Sequence, residues 1–85
     1  MKRMVETQES GLDSLMGEVV TFFCCRYIYT GKLIGVSETC VELEDPKIVY
    51  ETGSFVETDW KDAQSLPQKT FFISLAAVES FGIMK

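Results

Sequence analysis

Eighty-five residues make one small domain, close to the size below which a hydrophobic core struggles to stand alone. Hydrophobic residues are 46% of the chain, which excludes disorder throughout, and a formal net charge of −5 opposes phosphate and excludes a broad nucleic-acid-coating role. The chain has no histidine, which removes Ser-His-Asp and Cys-His arrangements and the usual zinc sites together.

Residues 1–9 are polar, carry Lys2 and Arg3 and show no periodicity, so they read as a mobile tail. Residues 10–17 predict a short helix. Ser10 is its candidate N-cap, Leu12, Leu15 and Met16 share one face, and Gly17 marks its end. So short a helix must pack on the sheet that follows.

The first strand is expected over 19–25. Val19, Thr21 and Phe23 lie on one face and Val20, Phe22 and Cys24 on the other, a pattern that predicts burial on both sides. The second strand runs from about Ile28 to Val36. The third runs from Thr39 to Tyr50 with a possible break at Pro46; in it Val41 and Leu43 face one way, and Cys40, Glu42 and Glu44 the other. Within the second strand, Tyr29, Gly31 and Leu33 share a face, and a glycine there permits a sharp bend and a close backbone approach.

Residues 52–69 form a long loop or an extended hairpin, with Phe55, Val56 and Trp60 as apolar groups free to meet a neighbour. Two short strands follow, TFFIS over 70–74 and VESFGIM over 78–84, joined by Leu75 to Ala77.

Cys24, Cys25 and Cys40 are an odd number of thiols without a C-x-x-C spacing. They read as reduced, mostly buried small hydrophobes of a cytosolic protein. No apolar stretch approaches the roughly 20 residues that cross a bilayer, and no secretory signal is visible, so a cytoplasmic protein without a membrane partner is expected. Gly31 and Gly35 lie inside a strand and form no phosphate loop. No catalytic group, metal site or cofactor is assigned.

The order of short helix and five strands, with Tyr29-x-Gly31-x-Leu33 in the second, resembles the Sm-like family (Sm, LSm and Hfq proteins). Val19, Thr21 and Phe23 take the alternating positions of that family's first motif, Val41 and Leu43 its aliphatic pair, and Ile73-Ser74-Leu75-x-x-Val78-x-x-Phe81 has the spacing of its second motif. Some of the compact single-domain members occur in phages of marine bacteria. The resemblance implies an all-β fold: a five-stranded, strongly bent antiparallel barrel over 10–85 with a short N-terminal helix.

It also implies a homo-oligomeric ring of about five to seven subunits closed head to tail. Phe71, Phe72, Ile73, Val78, Phe81 and Ile83 would divide between core and interface. Single-stranded RNA is the partner implied, with Thr39, Cys40, Ser74 and Leu75 lining the pore and Arg26 and Lys32 as phosphate contacts.

The chain departs from the family where the family holds a base. Arg26 replaces the usual glycine of the first turn. Ser37-Glu38-Thr39-Cys40 lacks the Asp, aromatic and Asn of the third loop, and Ser74-Leu75 (or Leu75-Ala76 on the bacterial pattern) replaces Arg-Gly or Lys-His. Stacking and aimed donors are what single-stranded RNA recognition requires, so the usual uridine pocket loses its chemistry. A protein-interaction module on an SH3-like or Sm-like barrel, using Trp60, Phe55 and the acidic loop, is the alternative. An acidic-residue hydrolase would need a divalent metal.

Overall fold

The computed structural model describes residues 11–54 and 59–83. The expected tail at 1–9, the Ser10 cap, Phe55 and Val56 lie outside the described residues.

Six strands form one antiparallel sheet: β1 (Val19–Cys24), β2 (Ile28–Val36), β3 (Cys40–Glu51), β4 (Asp62–Ser65), β5 (Thr70–Ser74) and β6 (Val78–Ile83). Their order is β4-β3-β2-β1-β6, and β5 pairs with the first half of β3. The protein is therefore mainly antiparallel β.

Alternation decides which side chains go inside. Val20 and Phe22 of β1, Leu33 of β2, Val41 and Leu43 of β3, and Ile73 of β5 form the buried core. Register brings them into contact, with Leu33 opposite Leu43 and Val41 opposite Ile73. Burial on both faces of β1 is only partial. Thr21 is buried between the core positions, its hydroxyl 3.3 Å from that of Thr30, whereas Val19 is exposed and Phe23 half-buried.

The bend is built by Gly31 and its opposite residues. Lys32 pairs with Glu44 and Thr30 with Lys47, so Gly31 alone faces two residues, Asp45 and Pro46. This is a β-bulge, and bulges sharpen the local twist. Asp45 takes the left-handed φ of 51° that the bulge requires. Pro46, which lacks an N–H to lose, turns fully inward and accepts the N–H of Leu66 on its carbonyl at 2.9 Å. A Cβ on Gly31 would sit 3.1 Å from Leu43 Cβ and 3.2 Å from the Glu44 carbonyl oxygen, so the approach needs glycine. The third strand thus passes through Pro46 without a break.

The helix differs from the sequence reading, and 52–69 contains a strand in keeping with the extended hairpin it offered as one alternative. The helix is a single 3-10 turn, Leu12–Leu15, entered from Gly11. Four residues close too few hydrogen bonds for an α-helix, and the turn is tied to β2 instead: Gly17 N–H donates to Leu33 O (2.8 Å) and Leu33 N–H to Glu18 O (2.9 Å). The strand count is six because part of 52–69 is β4, which pairs with the second half of β3. Among the described residues no helix is long and apolar enough to cross a membrane.

Candidate functional site

Thr39, Cys40, Ser74 and Leu75 come together. Cys40 stands opposite Ser74 at the end of the β3–β5 ladder, and Leu75 N–H donates to Thr39 O at 2.9 Å. Ser37 shapes the preceding turn: its Oγ accepts the N–H groups of Thr39 (3.3 Å) and Cys40 (3.1 Å). Leu75 opens a second 3-10 turn, Leu75–Ala77, which carries the chain from β5 to β6. The four side chains supply two hydroxyls, a thiol and an aliphatic group, and no ring, amide or cation.

Arg26 lies in the β1–β2 turn, where two cavities meet. The first, about 390 Å³, opens between that turn and β5 and is walled by Tyr27, Tyr29, Phe71 and Phe72, with Ser74 and Arg26 also lining it. Its aromatic rings form a ladder, with centroids 6.1 Å apart for Tyr27–Tyr29 and 5.3 Å for Tyr29–Phe71. Among the described residues Arg26 is the one charged residue in its wall. Burial, then the Cys25 thiol and Glu79, pushes the Cys24 thiol up, and burial followed by Cys24 and Tyr27 does the same to the Tyr29 hydroxyl. Both groups are neutral at physiological pH; the exposed Cys25 thiol lines the same cavity.

The second cavity, about 340 Å³, lies on the other side of the same turn and adds Val49 and Tyr50 to Arg26 and Tyr27. Tyr50 donates its hydroxyl to Asp62 Oδ2 at 2.6 Å, a bond that raises its pKa, and Gln64 Nε2 lies 3.4 Å from the same hydroxyl. Lys32 stands apart from both cavities, exposed on β2 between Val19 and Glu44.

The residues expected at an interface divide by face. Ile73 is buried in the core, with Phe71 and Val78 packed against it. Phe72 points outward from β5 and is 60% exposed, while Phe81 and Ile83 of β6 are 41% and 51% exposed. These last two lie opposite Phe22 and Val20, which are fully buried. The core-facing side of β6 is therefore left partly uncovered. No pairing joins β5 to β6 among the described residues, so each keeps one free edge.

Trp60 packs edge-on against Phe23, with centroids 6.2 Å apart, and its indole N–H is buried without a hydrogen-bond partner among the described residues. Sequence reasoning gives Tyr27 and Tyr50 no role and Tyr29 one only as the aromatic of Tyr29-x-Gly31-x-Leu33; the alternation Tyr27-x-Tyr29 beside Arg26 is the available signal. Among the described residues no group of three or more His, Cys, Asp or Glu side chains could hold a metal ion. No family model matches this chain, and neither a curated protein nor a solved structure does.

Proposed function

We propose that this chain is the subunit of a closed, Sm-like homo-oligomeric ring that acts in the cytoplasm as an RNA-associated scaffold and not as an enzyme. The observation that carries the reading is the pair of free edges, β5 with exposed Phe72 and β6 with exposed Phe81 and Ile83. An unpaired apolar strand edge invites another chain. Two different edges on one subunit join head to tail, and such contacts close into a ring when the rotation per step permits.

In this reading Thr39, Cys40, Ser74 and Leu75 line the pore, and Arg26 and Lys32 meet phosphate. Contacts of that kind are weak, because the four pore residues bring no stacking ring, so RNA binding should be salt-sensitive and modest. Native mass spectrometry on protein purified without nuclease tests both parts. A single closed oligomer of about five to seven copies supports the ring, and extra mass removed by ribonuclease supports RNA. A monomer at micromolar concentration refutes the ring.

A second reading, a protein-interaction module, is favoured by Tyr27 and Tyr50, which are both exposed beside Arg26. Tyr and Arg are the residue types that dominate interface hot spots. It predicts a partner whose capture is lost on changing Tyr50 to Ala in a chain that still folds.

A further inference from the structure

The cavity between the β1–β2 turn and β5 sets a single cation in an aromatic wall. Its volume of about 390 Å³ falls within the range of small-molecule sites, about 300–1,000 Å³. Tyr27, Tyr29, Phe71 and Phe72 line it, and the first three stand in succession with centroids 6.1 Å and 5.3 Å apart. Rings at such spacings can take the face or edge of a further ring. Among the described residues Arg26 alone brings charge to this wall, and it forms no ion pair.

We propose that this cavity binds a small aromatic carboxylate, with its ring against the Tyr27–Tyr29–Phe71 ladder and its carboxylate on the Arg26 guanidinium. Three features select that class. The guanidinium is a planar fork whose donors match the two oxygens of a carboxylate. One cation balances one negative charge. A second charge, as on a phosphate monoester, would lie uncompensated beside apolar walls in a chain of net charge −5. An aliphatic acid would forgo the ring contacts, and an uncharged ring would take water from Arg26 without pairing it.

Every residue of this wall belongs to one copy of the chain, so the assignment does not rest on the ring reading. The cavity also contains its own reporter. Cys25 lines it and is exposed, whereas Cys40 is no part of its wall. An occupant therefore shields Cys25 from alkylation and leaves Cys40 to react at its own rate.

The test titrates the full chain with 2-naphthoate, and with 2-naphthamide as its uncharged counterpart, by isothermal calorimetry. Naphthoate should saturate with a Kd below about 1 mM, and it should slow iodoacetamide labelling of Cys25 but not of Cys40. The amide should bind at least about tenfold more weakly, the scale of a lost charge-assisted hydrogen bond. Arg26→Gln should bring the acid down to the level of the amide. Lys61→Gln, which removes an exposed cation outside this wall, should leave both affinities unchanged. Urea unfolding establishes that each variant folds, and the comparison of acid with amide on the unaltered protein needs neither variant. Failure to saturate at millimolar naphthoate, equal affinity for acid and amide, an Arg26→Gln protein that binds the acid normally, or unchanged Cys25 labelling each overturns the assignment. A monomer that binds naphthoate as expected refutes the ring and leaves this site standing.

Discussion

Phe22 and Phe81 face each other across β1 and β6 with ring centroids 6.1 Å apart, yet Phe22 is fully buried and Phe81 is 41% exposed. The two positions share a face and differ in what lies beyond them. Phe22 has β2 on its far side, whereas Phe81 has a free edge. Phe22→Ala should cost the subunit about 3–5 kcal/mol, the usual loss for a buried aromatic. Phe81→Ala should cost the isolated subunit about 1 kcal/mol, as a partly exposed site does, while weakening assembly severely. Urea unfolding and sedimentation velocity on the same two variants distinguish the roles. Equal losses of subunit stability would count against the edge interpretation.

Thr21 and Thr30 form a buried hydroxyl pair apart from the cluster of Val20, Phe22, Leu33, Val41, Leu43 and Ile73. Changing either one to Val strands its partner, and an unsatisfied buried hydroxyl costs about 1–3 kcal/mol. Replacing both should recover most of that loss, because no orphan remains. A double-mutant cycle by urea unfolding reads the coupling directly. Strict additivity of the two single losses would show that the hydroxyls do not depend on one another.

Gly31→Ala introduces a Cβ 3.1 Å from that of Leu43 and 3.2 Å from a backbone oxygen that cannot move freely. Overpacking of this kind typically costs about 1–3 kcal/mol. Gly82 on β6 is the internal control, since a Cβ there meets nothing within 4 Å. Chemical denaturation of Gly31→Ala and Gly82→Ala should therefore separate clearly, and a tolerated Gly31→Ala would mean that the bend relaxes without it.

Cys24 and Cys25 adjoin in sequence but differ in environment, half-buried and exposed respectively. Only the thiolate reacts with alkylating agents, and burial raises the pKa of Cys24. At about pH 8, near the ordinary thiol pKa, iodoacetamide should label Cys25 first. The Cys24 rate should keep climbing with pH after an ordinary thiol has levelled off, because its thiolate fraction is still growing there. Peptide mass mapping across a pH series reports both rates, and equal labelling at every pH would contradict the assignment.

The strands with β-branched and aromatic alternation were visible in the sequence. The apolar faces of VVTFFC, IYTGKLIGV and TFFIS determine β1, β2 and β5, and Val41 and Leu43 identify the inner face of β3. An extended hairpin within 52–69 is one of the alternatives read from the sequence, but nothing in Asp62-Ala63-Gln64-Ser65 marks it as the strand. It has no β-forming residue, and it is a strand because β3 offers it an unpaired edge. Pro46 looked like a break because proline cannot donate to a ladder; the bulge at Asp45 supplies a position where no donor is needed. Site geometry was partly readable. The meeting of Thr39 and Cys40 with Ser74 and Leu75 was implied by the family resemblance and not by local pattern, whereas the meeting of Arg26 with Phe71 and Phe72 depends on how far the sheet curls, which no local pattern encodes.

β3 serves two neighbours in succession, β5 along Cys40 to Glu44 and β4 from Lys47 to Glu51, with the Asp45–Pro46 bulge between them. The strand works as a beam with a joint. β4, hung beyond the joint, shares no rung with β5. Sequence changes on the exposed positions of β4 should therefore leave the β3–β5 ladder unaltered.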